Sequence, residues 1–325
     1  MGIFHTFFDE SGKFKDHKII SFCGFGSKAG TLKDFDGDWE YQLRRTGMDA
    51  LHMVDACRIN KPLGRLIGAQ SLPDRINDLK PFADCIRNHL ELGVATVFEV
   101  EGYTSFTEMA KKALGGSDNP FYTQFLSTMQ TVTDYVTTGE PITLMCDEDE
   151  STAWWCYKLY SRVKKVDRRI GRKLAAISFA NDQHFPALQA ADMLSFLCRL
   201  QANGEFYGVD YNFHPLFTYL TAPRGSSATY WQVAFKNKSQ LSPLGATLDR
   251  HQRQREKGRK KRSSKVRRSS KNIDVGATGR NTKARQGMAS QTSAKKRAKN
   301  SPASRASGNS GNPHYAPYST GDSKP

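Results

Sequence analysis

The chain has 325 residues, 38% of them hydrophobic, and a formal charge of +16, enough apolar material for one large or two small folded domains. No run approaches the roughly 18 apolar residues of a membrane span, and MGIFHTFFDESG lacks the basic, apolar and small-residue order of a secretory leader, so the expectation is a cytoplasmic protein. The charge is unevenly divided: residues 250–325 carry 21 Lys and Arg against Glu256, Asp274 and Asp322, a net +18 that leaves −2 of the whole-chain +16 for residues 1–249.

In chain order, Ile3 to Phe8 and Ile19 to Phe25 are β-rich runs joined by the polar SGKFKDHK, which predicts a β-hairpin. Phe35, Trp39 and Leu43 recur at helical spacing, and Ile76, Leu79, Phe82, Ala83, Ile86 and Leu90 mark a second helix over residues 73–92. GVATVFEVEGY reads as a strand, followed by helices near residues 105–114 and 120–137. PITLMC is a strand, and STAWWCYKLYSRVKKV a helix with Ser151 as its cap. Within that helix, Trp154, Trp155, Tyr157 and Tyr160 are either core or base-stacking residues, and helical spacing assigns most of them to the core. KLAAISFA is a further strand, FPALQAADMLSFLCRL a helix, FHPLFTYL a short helix and ATYWQVAFKN a terminal strand or packing segment. Strands alternating with helices predict an α/β fold, a mixed central sheet flanked by helices, over residues 1–248.

Residues 249–325 contain almost no aliphatic or aromatic side chains before Tyr315, which predicts a disordered basic tail. Its clusters, including Arg259, Lys260, Lys261, Arg262, Arg267, Arg268, Lys295, Lys296 and Arg297, suit the phosphates of a nucleic acid, or serve only to solubilise. Cys23, Cys57, Cys85, Cys146, Cys156 and Cys198 form no C-x-x-C pair, so reduced and mostly buried thiols are expected.

Three aspartates stand where aspartate is costly. Asp9 closes the apolar run IFHTFF, Asp147 closes PITLMC, and Asp192 lies inside the apolar helix PALQAADMLSFLCRL. A half-buried carboxylate needs a partner, and a divalent cation supplies one, since hard Mg2+ or Mn2+ prefers oxygen ligands. Strand alternation sends Asp9 and Glu10 to opposite faces, leaving Glu10 a supporting role. The following acids Glu148, Asp149 and Glu150 read as charges favoured at a helix N-terminus. Gln189 lies one helical turn before Asp192, and Asp182 and His184 sit in the loop ahead of that helix. His52 and Asp55, three apart in LHMVD, are either a fourth acidic station with its imidazole or satisfied local residues.

FFDESG, LHMVD, the strand ending at Asp147 and ISFANDQHFPALQAADMLSFL together resemble the large prokaryotic family known as domain of unknown function 3800, over roughly residues 3–200. Two departures are visible: Asn181-Asp182 replaces the family's aspartate-serine, and Asp55 stands where glutamate is usual. The resemblance implies a ribonuclease H-like fold whose first three strands are antiparallel, with Asp9, Asp147 and Asp192 as metal ligands and Asp55 as a further acid. The chemistry expected is then a Mg2+- or Mn2+-dependent nuclease, with no small-molecule cofactor and no membrane partner. Its two ions would lie about 4 Å apart, bridged by Asp9. A toxin or defence role is compatible with that chemistry, and the alternative is a non-catalytic nucleic-acid-binding protein on a nuclease-like fold.

Overall fold

The computed structural model describes residues 2–274 other than 60, 65–70, 115–117, 138, 149 and 224–228. Its elements are β1 (Phe4–Ser11), β2 (Ile19–Lys28), α1 (Ala29–Thr46), α2 (Met53–Ala56), α3 (Leu72–His89), β3 (Leu92–Glu99), α4 (Val100–Thr104), α5 (Glu108–Ala113) and α6 (Phe121–Tyr135). There follow β4 (Ile142–Asp147), α7 (Glu150–Val166), α8 (Arg168–Lys173), β5 (Leu174–Ala180), α9 (Pro186–Tyr207), α10 (His214–Thr221), β6 (Tyr230–Lys236) and α11 (Lys238–Asp274). The fold is α/β.

The six strands form one mixed sheet in the order β5-β4-β1-β2-β3-β6. β1, β2 and β3 make an antiparallel meander, opposing Asp9 to Cys23 and Cys23 to Ala95. β4 lies parallel to β1, β5 parallel to β4, and β6 parallel to β3 at the far edge. The hairpin turns at Gly12, whose φ of +89° suits glycine. A Cβ there would lie 2.7 Å from the Ile19 carbonyl oxygen.

Both faces of the sheet are covered, as the alternation of large apolar residues requires. Phe4, Phe8 and Phe22 point into one core with α6 and α7. Phe7, Cys23 and Phe25 point into the other, with α1, α3, α9 and α10. α9 is buried almost all round from Ala187 to Cys198; a helix apolar on every side belongs inside a core. Asp192 lies in that buried stretch and is buried with it. None of the six cysteines is in a disulfide, and all but the half-buried Cys57 are buried. Among the described residues no helix is long and apolar enough to cross a membrane.

Two sequence expectations need correction. α7 begins at Glu150, so Ser151 lies inside it rather than capping it. The basic segment also does not become irregular at residue 249, because α11 continues to Asp274. Arg, Lys, Gln and Glu are good helix formers. Polar and charged partners also pin the start of the segment: Thr107 Oγ1 donates to Asp249 (2.5 Å), and Lys112 pairs with Glu256 (2.8 Å). Arg259, Lys260, Lys261 and Arg262 are exposed on this helix. The chain divides into units 1–268 and 269–325. Lys295, Lys296 and Arg297 lie outside the described residues, as do the side chains of Arg267 and Arg268.

Candidate active site

Asp9, Asp147 and Asp192 lie near one another towards the ends of β1 and β4. Register fixes the first two: β1 and β4 run parallel with Phe7 opposite Met145 and Phe8 opposite Cys146. Asp9 and Asp147 follow as the next pair and share the α9 face of the sheet, while Glu10 points to the opposite face beside Phe121 and Thr152. α9 crosses that face, and its Ser195 Oγ donates to the Asp9 carbonyl oxygen (2.7 Å). Ser21 Oγ in turn donates to the Ser195 carbonyl (2.8 Å). These bonds lock helix to sheet one turn from Asp192.

Asp9 and Asp192 are both 8% exposed. Burial raises the proton affinity of Asp9 well above the ordinary carboxylate range, and the nearby charges of Asp192, Asp147 and Glu10 raise it further. Burial also pushes Asp192 up, to about 6; the Met53 N–H and His52 pull it down, while Asp182 and Asp147 add to the rise. Met53 N–H donates to Asp192 Oδ2 at 2.8 Å, and His52 Nδ1 lies 3.9 Å from the same oxygen. The three aspartates therefore sense one another. Yet among the described residues no three His, Cys, Asp or Glu side chains are gathered into a ready metal cluster.

The remaining sequence candidates separate. His52 stands exposed beside Asp192, at the cap of the single-turn α2. Asp55 does not join it, because α2 turns Met53 and Ala56 inward and leaves Asp55 exposed, paired with Arg58 at 2.8 Å. Asp182 is near enough to act on Asp192. His184 lines a different cleft, with His5, Asp36 and Glu40. Gln189 is a scaffold residue: its Oε1 accepts from Trp39 Nε1 (2.9 Å) and Leu51 N–H (3.0 Å), and its Nε2 donates to the Asp182 carbonyl (3.1 Å). It ties α1, the His52 loop and the Asp182 turn to α9. Buried Arg75 holds the same loop from the other side, donating to the carbonyls of Ala56 (2.8 Å) and Lys61 (2.5 Å).

Three contributors escaped the sequence reading. Arg199, seven residues after Asp192 and so on the same helical face, donates through Nε to Ser11 Oγ (2.9 Å) and feels the Asp192 charge. That i, i+7 spacing was the available signal. Lys13 and Lys15, on the β1–β2 connection, line a cleft of 450 Å³ with Glu10, Phe121 and Thr152. A smaller adjoining pocket lies on the same face as Glu10, lined by Phe8, Phe22, Cys146 and Cys156 beneath the strand segments that carry Asp9 and Asp147.

The donor set fits a hard divalent cation: oxygen ligands only, mutually repelling, and held partly out of water. Mg2+ keeps several waters and is commonly held through one or two carboxylates, so pairs suffice where three are not gathered. Comparison with protein-family models and with curated proteins finds no match to this chain. The resemblance to the domain of unknown function 3800 family rests on the quoted motifs.

Proposed function

We propose that the chain is a Mg2+- or Mn2+-dependent nuclease, a phosphodiester hydrolase on a ribonuclease H-like fold. The observation that carries this reading is the approach of Asp9, Asp147 and Asp192, from β1, β4 and α9, at one end of the sheet, where burial and mutual repulsion raise Asp9 and Asp192. The antiparallel β1-β2-β3 meander with β4 and β5 laid parallel beside β1 supports the fold assignment. A bound divalent ion supplies Lewis-acid polarisation of a phosphate oxygen and a water acidic enough to attack near neutral pH.

The chain's own residues have distinct tasks. Asp9 stands near both Asp147 and Asp192, so its loss removes a ligand from two of the three carboxylate pairs. The Met53 N–H orients Asp192, and Ser195 fixes the backbone beneath Asp9. His52 sets its imidazole Nδ1 3.9 Å from Asp192 Oδ2, placing a polar ring beside that carboxylate. Lys13 and Lys15 offer positive charge for substrate phosphates at the adjoining cleft.

The test is metal-dependent cutting of labelled single-stranded, duplex and hybrid substrates, abolished in Asp9→Ala and Asp192→Ala. If the wild-type chain cuts none of them with either metal, the reading fails. A non-catalytic nucleic-acid-binding protein is the second reading, favoured by the exposed cations Arg259, Lys260, Lys261 and Arg262 on α11. It requires salt-dependent binding, unchanged in Asp9→Ala, without cutting. Growth arrest on expression, relieved by Asp9→Ala, would add the toxin or defence role to the nuclease.

A further inference from the structure

α7 carries an aromatic face that its core does not use. Burial on this helix falls on Cys156 and Tyr160, 1% and 6% exposed, whereas Trp154, Trp155 and Tyr157 are 58%, 50% and 48% exposed. Of the four aromatic residues that helical spacing assigned mostly to the core, only Tyr160 is there. The exposed rings are already ordered: Trp154 and Tyr157 stack with centroids 5.9 Å apart and planes 16° apart. Lys158 Nζ sits over both indoles, 4.7 Å from the Trp154 centroid and 4.4 Å from that of Trp155. Large exposed apolar rings cost solvation and need a reason.

Charge names the occupant. From Lys158 to Lys173, α7 and α8 carry eight Lys and Arg against Asp167 within the segment; Arg169 pairs with Asp134 and Lys173 with the Thr133 and Val136 carbonyls, so the excess charge lies along α7. Asp167 is engaged as the cap of α8, accepting from the N–H groups of Arg169 and Ile170. Lys158 and Lys165, four and eleven residues after Trp154, share its helical face. Position supplies the link to chemistry. Thr152, half a turn before the rings, lines with Glu10 and Phe121 the small pocket beneath the strand ends that bear Asp9 and Asp147, whose carboxylates turn over that edge to the α9 face, and Trp155 packs on Tyr122, the neighbour of Phe121.

We propose that this face is a stacking ledge for the bases of a single-stranded nucleic acid, which it delivers over the start of α7 to the acidic centre. The inference rests on the nuclease reading and deepens it by making unpaired strands the substrate class. A duplex hides its base faces, so only its phosphates could meet α7; a single strand offers both base faces and phosphates, and stacking tolerates any base.

The experiment titrates the full-length chain, with chelator present so that binding is read without cutting, against an oligothymidylate and against a duplex of equal length. The salt is raised to suppress purely electrostatic binding. Tryptophan fluorescence is expected to quench with the single strand. Trp154→Ala with Trp155→Ala should weaken single-strand binding on the order of 10- to 100-fold while changing duplex binding less than about 3-fold. Trp154→Phe with Trp155→Phe should restore most of it, which loss of fold would not allow. Equal losses on both substrates, or unquenched fluorescence, overturn the ledge; a partner protein would then be the occupant. The two readings fail separately: a wild-type chain that cuts no substrate while the ledge behaves as expected refutes the nuclease, and cutting with ring-independent binding refutes the ledge.

Discussion

Replacing Asp192 by asparagine should stabilise the metal-free protein near neutral pH. Asp192 is 8% exposed and its carboxyl is pushed from 3.8 to about 6. At about 1.4 kcal/mol per pH unit, keeping it ionised in the fold costs about 3 kcal/mol. The sign follows from linkage. The folded carboxyl binds its proton more tightly than the unfolded one, so its favourable contribution is complete below pH 3.8 and is lost as pH rises through about 6. Asp9, raised in the same direction by burial and by Asp192, extends that loss upward. The asparagine side chain keeps an oxygen for the Met53 N–H and carries no charge. Urea unfolding with chelator present should therefore show Asp192→Asn more stable than wild type by about 2 to 3 kcal/mol at about pH 7, the gap closing towards about pH 4. Mg2+ at about 1,000 times its Kd should reverse the order, since it adds about 4.1 kcal/mol to the wild type and little to the variant. A variant equal to or weaker than wild type without metal at neutral pH would refute the claim that uncompensated charge is stored at this site.

Three further outcomes are expected. Gly12→Ala should destabilise by roughly 1–3 kcal/mol in thermal unfolding, because φ is +89° and the new Cβ would press on the Ile19 carbonyl and Arg199; a change below about 0.5 kcal/mol would contradict the turn geometry. Gln189→Leu should cost about 2–5 kcal/mol, leaving the Leu51 N–H and Trp39 Nε1 without their shared acceptor. Its hydrogen exchange should quicken over the His52 loop, not in β6. Changing Arg259, Lys260, Lys261 and Arg262 to glutamine should flatten the salt dependence of nucleic-acid binding by about 0.7 in log–log slope for each single-strand phosphate no longer neutralised. An unchanged slope would remove this part of α11 from the interface.

How far the sequence speaks depends on whether a residue's cost is local. Asp9, Asp147 and Asp192 were legible because a carboxylate inside or ending an apolar run is expensive wherever the chain goes next, and the structure brings them to one sheet end. The strand positions were legible for the same reason: alternation at Phe7, Phe8 and Asp9 states which side chains share a face before any partner strand is known. What could not be read was phase and reach. Four aromatic residues at helical spacing are compatible with a buried or an exposed stripe, and Cys156 with Tyr160 took the inner positions, leaving Trp154 and Trp155 outside. Asp55 looked equivalent to His52 until the single turn of α2 rotated one toward Asp192 and the other toward Arg58. Gln189 shares a helical face with Asp192, but its amide spans to Trp39 and Leu51, a choice set by distant segments. The helix through residue 249 depended likewise on Thr107 and Lys112. A cost such as that of Asp192 constrains the fold from one position alone, whereas the ledge and the Gln189 clamp exist only once neighbours arrive. Functional residues of the second kind are therefore the ones that tertiary geometry must reveal.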